Sequence, residues 1–299
     1  MPETVKLKCK SGKVIEVGQI IDSYPVQWTR FQTIAVPVYD ERFLDYFGDS
    51  LRFRIKHGHD NIILITGQRR GGKSMLMSQA TRKVDPDFPV GKVAFPLQEF
   101  NKTLSENPRF DADKNIWPQA VLDEAGYDLY AGNWMQAVSK NMVRKFEVIG
   151  EKGQTVWLVL PHRMKLIKGI REDMAHWWLN VELFGDEEHR GFAILRRAKP
   201  NEWREEAYWM PEAAFMFPNQ EDAWWKEYME KKRAFVDKVA GDNPEDLAPK
   251  GRHATKVLEQ RNTYIRFIKK ELKLSDEVIA NIGGLDRTAV QHIIHPPQR

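Results

Sequence analysis

Gly67-Gln68-Arg69-Arg70-Gly71-Gly72-Lys73-Ser74 has the spacing of a phosphate-binding loop, a glycine followed five positions later by Gly-Lys-Ser. The apolar run from Asn61 to Thr66 ahead of it predicts a buried strand, and Ser74 to Ala80 predicts a helix. A polyphosphate needs that setting. Glycines let backbone N–H groups close around the oxygens, and the helix N-terminus adds partial positive charge. On this reading Gly67 to Met75 cradle ATP, Lys73 reaches the β- and γ-phosphates and the Ser74 hydroxyl ligates Mg²⁺. A chance glycine-rich turn would explain the loop but not its flanks. Arg69 and Arg70 either steer the anionic nucleotide or decorate the loop tip, decoration being the safer reading.

A second chemical group lies about fifty residues on, the same side chains that P-loop hydrolases place opposite the loop. Gln119 to Leu122 is a short apolar strand ending in Asp123-Glu124. Asp123 at the strand tip is placed to hold the metal and its waters, and Glu124 to orient and deprotonate a water at the γ-phosphate. Such a pair alone often just ends a strand. Together with the loop it indicates hydrolysis by water. A further strand (Gly91 to Phe95) and helix (Leu97 to Leu104) fit between the two motifs.

These motifs, with a later strand from Gln154 to Leu160, resemble the additional-strand, catalytic-glutamate branch of P-loop ATPases. Within it the spacing is similar to the FtsK–HerA superfamily of DNA-translocating ATPases and to the zonula-occludens-toxin-like ATPases of filamentous viruses. The resemblance spans roughly Asn61 to Arg197. It implies an α/β, RecA-like fold with a mainly parallel sheet, and ATP held at the interfaces of a homo-oligomeric ring, a hexamer in that family. It also implies an arginine on a helix before the fourth strand, here Arg144, reaching a neighbour's γ-phosphate; a solvated helix-face arginine is an equal alternative. The family ends its fourth strand in Gln as a sensor; His162 stands there instead.

The rest of the chain must position and use this centre. Its 299 residues suit about two domains. One cysteine, Cys9, excludes a disulfide framework or a four-cysteine zinc site, and His57/His59 lack companion ligands. No apolar run reaches membrane-spanning length and the N-terminus has no signal-peptide core, so the expected location is the cytoplasm, a host's if the chain is viral. The net charge of +4 permits nucleic-acid binding without requiring it. The reading divides the chain into a β-hairpin extension (1–39), the ATPase domain (40–239), a linker (240–252) and a small helical domain (253–299). Strands at Trp178 to Leu183 and Gly191 to Arg197 are expected as an antiparallel edge extension. Trp177-Trp178 and Trp224-Trp225 fit core or interface packing better than base stacking.

Two segments point to DNA. Arg163, Lys165, Lys168 and Arg171 would line a translocation channel and grip phosphates, or else form an ordinary basic face. From Lys250 on, ten basic residues stand against five acidic ones. There Val278 to Ile293 fits a helix-turn-helix, with Gly284 at the turn and Arg287, Thr288, Gln291 and His292 facing outward to bases. Non-binding helical hairpins satisfy the same spacing. The combined expectation is a DNA-stimulated ATPase that moves double-stranded DNA, of genome-packaging or DNA-transfer type. The alternatives are a terminase-like packaging ATPase, a nucleotide-switched DNA-binding regulator and a virion-assembly ATPase that handles protein.

Overall fold

The computed structural model describes residues 4–8, 14–29, 31–125, 142–147, 150–184, 189–199, 208–241 and 287–294, with single positions between 265 and 278. The chain divides into two units, Met1–Asp237 and Lys238–Arg299.

The first unit is built on one sheet. In chain order its strands are β1 (Thr4–Lys8), β2 (Val14–Thr29), β3 (Gln32–Tyr39), β4 (Asn61–Gly67), β5 (Val93–Ala94), β6 (Gln119–Leu122), β7 (Thr155–Val159), β8 (Trp177–Phe184), β9 (His189–Lys199) and β10 (Tyr208–Met216). In space they run β1-β2-β3-β10-β9-β8-β4-β7-β6-β5. β5, β6, β7, β4 and β8 are mutually parallel, and β3 pairs in parallel with β10, so five of the nine pairings are parallel. β4, β6 and β7 are buried along their length, apart from the half-buried Gly67. That is why they read as unbroken apolar runs: a parallel sheet is covered on both faces.

The covering follows the two-residue alternation of a strand. Ile63, Ile65, Val121, Trp157 and Val159 point to the face covered by α1 (Phe43–Lys56) and α2 (Lys73–Val84). Ile62, Leu64, Leu122, Val156 and Leu158 point to the other, against α3 (Leu97–Glu106), the helical residues 142–147 and the turn Gly169–Met174. α1 presents Phe43, Leu44, Phe47, Leu51 and Ile55 as one buried stripe. The result is a three-layer α/β/α unit.

One expectation changes in part. β8 and β9 pair antiparallel as expected, but they are not at an edge: β8 lies parallel to the phosphate-loop strand, Leu64 beside Trp178, and the sheet continues beyond β9. The physical reason is the crossover through residues 160–176, long enough to return the chain in the direction of β4. β10, with no counterpart in the sequence-based reading, then carries the N-terminal strands through its pairing with β3.

The helix α4 (Ala223–Gly241) closes the first unit and runs across the division into the second. Of the expected helix-turn-helix, the described part is α5 (Arg287–Ile294), with Val290 buried and Gln291 exposed; residues 279–286, and the side chains of Arg287, Thr288 and His292, lie outside the description.

Candidate nucleotide-binding site

The loop leaves the C-terminal end of β4 and enters α2 at Lys73. Its conformation demands glycine at two points. Gly67 has φ +146° and a Cβ there would lie 2.3 Å from the Val181 carbonyl, while Gly72, with φ +103°, caps α2. Arg70 takes the left-handed region without being a glycine. Lys73 folds back over the loop, its Nζ donating to the Gly67 and Gln68 carbonyls at 3.1 and 2.6 Å. Burial lowers the pKa of that ammonium, against the raising effect of the nearby Glu124 and Asp123 carboxylates.

Two strands away across the sheet, β6 delivers the acidic pair. Asp123 is 1% exposed and its Oδ2 accepts from Ser74 Oγ at 3.2 Å. Glu124 sits in the left-handed region, φ +63°, its N–H bonded to Asp123 Oδ1 at 3.0 Å. For a non-glycine residue that conformation costs roughly 1–2 kcal/mol. It turns the Glu124 side chain away from the buried strand, where it is half exposed.

The loop and Glu124 face one cavity of about 1000 Å³, with Asp123 buried behind Ser74. Arg69, Arg70, Gly72, Lys73, Ser74, Met75 and Glu124 line it, and Phe217, Trp225, Met229 and Val236 add an apolar wall. Gln68, Gly67 and Asp123 complete the surrounding loop and strand tip. That volume and lining, apolar with a few convergent polar groups, suit a nucleotide. The donor set also fits magnesium, which takes hard oxygen ligands and binds through one or two protein oxygens plus phosphate. Ser74 Oγ and Asp123 Oδ2 would hold it; among the described residues no cluster of three His, Cys, Asp or Glu offers another metal site.

α4 contributes side chains that the sequence motifs do not name. The Tyr228 hydroxyl donates to Asp123 Oδ2. Lys232 Nζ lies 2.8 Å from the same oxygen, 3.2 Å from Ser74 Oγ and 3.6 Å from Glu124 Oε1. Burial, then the Asp123 carboxylate, raises the Tyr228 pKa well above the usual tyrosine value, so the phenol stays protonated as donor. The stripe Trp225-Met229-Lys232-Val236 has the spacing of one helix face. That signal was present in the sequence, without any indication of what the face meets.

The remaining predicted residues lie elsewhere. Arg144 is exposed on the helical stretch 142–147. His162 is exposed, and its Nδ1 caps the turn that follows by accepting from the Met164 N–H at 3.2 Å. Its neighbour Pro161 reaches the loop instead, accepting from Gly67 N–H. Lys165 and Lys168 are exposed. Arg163 stacks over Trp178, 5.0 Å from the ring, and pairs with Glu172. Arg171 does not fit a phosphate-gripping role: it is 9% exposed, and its guanidinium is spent on Glu172 at 2.6 Å and on the Met164 and Leu166 carbonyls. A buried charge needs such partners, so it is a structural ion pair. Trp177 is buried and Trp178 packs at the edge of Trp209, in keeping with a packing role.

No protein-family model and no curated protein sequence matches the chain. Among solved structures it is similar to the genome packaging NTPase B204 from Sulfolobus turreted icosahedral virus 2 in complex with ATP-gammaS, at 13% identity over 46% of this chain and 92% of that one, TM-score 0.30. It is also similar to the N-terminal domain of zonular occludens toxin from Neisseria meningitidis, at 14% identity over 56% of this chain and 98% of that one, TM-score 0.34. The chain's own geometry is more telling: β7 stands between the phosphate-loop strand β4 and the acidic strand β6, in the order β8-β4-β7-β6-β5. By that order and its loop, the chain has the α/β fold of an additional-strand P-loop NTPase.

Proposed function

We propose that the chain is an ATPase of the genome-packaging or DNA-translocating type, acting on double-stranded DNA as a homo-oligomeric ring. The observation that carries the ATPase reading is the meeting of Lys73, Ser74 and Glu124 on one nucleotide-sized cavity, with Asp123 bonded to Ser74 behind them. Lys73 neutralises the β/γ-phosphates, and the loop N–H groups and the start of α2 bind the remaining charge. Ser74 and Asp123 would hold magnesium, which when bound would supply charge neutralisation on the phosphates. Glu124, free of the buried strand, orients a water and takes its proton. The apolar wall of Phe217 and Trp225 receives the base. Arg144, exposed, is free to serve a neighbouring subunit as the arginine finger. The basic residues beyond Lys250 and exposed Lys165 and Lys168 supply the sequence-independent grip on phosphates. The setting is the cytoplasm; no described helix is long and apolar enough to cross a membrane.

Steady-state ATP hydrolysis with and without random-sequence double-stranded DNA tests this. Several-fold stimulation that fades with salt is expected. Glu124→Gln should bind nucleotide normally yet lose about 10²–10⁴ in turnover, the range for a general base. A slow rate indifferent to DNA would favour a nucleotide-switched regulator, a reading to which α4 lends support because it joins the cavity wall covalently to the second unit.

A further inference from the structure

α4 brings a fixed cation and a hydrogen-bond donor to the one carboxylate oxygen that the proposed metal needs. Asp123 is almost wholly buried, and an unpartnered buried carboxylate is costly. Lys232 and Tyr228 relieve that cost from the same helix, four residues apart. Lys232 also lies within hydrogen-bonding distance of Ser74 Oγ, so its ammonium spans both protein oxygens of the magnesium pair. A divalent cation draws on the same lone pairs and repels an ammonium at contact distance. Lys232 and the metal therefore compete.

The rest of α4 is held independently. Arg82 pairs with Asp222 just before the helix, Trp224 Nε1 donates to the Phe88 carbonyl at 2.7 Å, and Lys231 Nζ donates to the Val93 carbonyl at 2.6 Å. Phe235 stacks on Phe95, ring centroids 5.0 Å apart. Loss of the Lys232 contact thus leaves the helix docked as far as Phe235, and what changes is the tether of the turns beyond it, which continue past Lys238 into the second unit.

We propose that Lys232 is a metal-displaced latch: its ammonium closes the Ser74–Asp123 pair until nucleotide delivers a divalent cation, and its release loosens the turns of α4 beyond Phe235 that lead into the second unit. The inference rests on the ATPase reading of the same site. Lys232 also lies 3.6 Å from Glu124 Oε1, and both line the cavity.

The test uses the full chain, with Mn²⁺ as a spectroscopic stand-in for magnesium. Mn²⁺ binding is followed by electron paramagnetic resonance in the presence of a non-hydrolysable ATP analogue, for wild type, Lys232→Met and Lys232→Arg. Lys232→Met should bind Mn²⁺ about tenfold more tightly, the low end for releasing one charge-assisted hydrogen bond, and Lys232→Arg should stay near wild type. Hydrogen exchange of residues 236–241 should quicken in wild type when metal joins the analogue, and Lys232→Met should exchange quickly with or without metal. Equal or weaker Mn²⁺ binding by Lys232→Met, or exchange in wild type unmoved by metal, overturns the latch. Analogue binding in the presence of chelator, with Lys73→Ala as control, separates the two failures: if wild type binds no better than that control, the ATPase reading falls and takes the latch with it.

Discussion

His176 shows how a single side chain outside the site sets the pH response of the sheet that carries it. It stands at the head of β8, and its Nδ1 accepts the Ile62 N–H at 3.1 Å at the start of the phosphate-loop strand. A ring that accepts there is neutral at that nitrogen. Burial lowers its pKa; Asp60 opposes the shift, while Arg54, His59 and Arg197 add to it. The unfolded chain therefore binds a proton that the folded one resists. The stability tied to the neutral ring is complete above the ordinary histidine value of about 6.5 and is lost as pH falls through that value and then the depressed folded one. Melting temperature should accordingly drop between about pH 7 and about pH 5 in wild type. His176→Asn keeps an acceptor without the titration, so its profile over that window should be flatter; an equal drop in both proteins would remove His176 from the account. Lys232 and Arg171 carry the complementary lesson at this scale. In sequence Arg171 sits in a basic cluster that reads as a phosphate grip or an ordinary basic face, and Lys232 in a basic run that carries no motif; only the fold turns Lys232 onto Asp123 and Arg171 onto Glu172.

Elements were legible where burial wrote itself into composition. β4, β6 and β7, covered on both faces, appear as apolar runs, and the glycine-rich loop between β4 and α2 carries its chemistry in its spacing. Direction and neighbours were not legible, because alternation along a strand is the same whichever way it runs. That is why β8 was expected at an edge and lies inside the sheet, parallel to β4 on one side and antiparallel to β9 on the other, and why the face of α4 showed no target. The contact between α1 and α2 was equally hidden. Gly48 is buried in the middle of α1, and a Cβ there would lie 2.8 Å from the Lys83 carbonyl of α2. On propensity alone Gly48→Ala would stabilise the helix by about 1 kcal/mol. Overpacking against backbone costs about 1–3 kcal/mol, since a carbonyl cannot rotate out of the way as a side chain can. The clash should win. Chemical denaturation is expected to show net destabilisation of Gly48→Ala, and a gain in stability would mean that the helices separate more freely than their packing indicates.

For the whole molecule, the division at Asp237/Lys238 places the site on one side, with α4 as its last wall. The aromatic side of that helix is integral to the core: Tyr228 is fully buried and packs with Trp224, Trp225 and Phe95. A chain ending at Gly241 keeps these contacts and both side chains on Asp123. It should melt cooperatively and bind nucleotide as the full chain does. A chain ending at Asn219 strips Trp225, Met229 and Val236 from the apolar wall of the cavity and leaves Asp123 without Tyr228 or Lys232. Removing a large buried aromatic alone costs about 3–5 kcal/mol, a large part of the net stability of a typical domain. That shorter chain should fail to fold cooperatively or lose nucleotide binding, as read by calorimetry and by titration with a fluorescent ATP analogue. The comparison also bears on the division of labour. If the basic residues past Lys250 supply the grip on DNA, the Gly241 chain retains basal hydrolysis and loses most DNA stimulation. Full stimulation without them would move the DNA contact to the first unit, where exposed Lys165 and Lys168 lie beside buried Arg171.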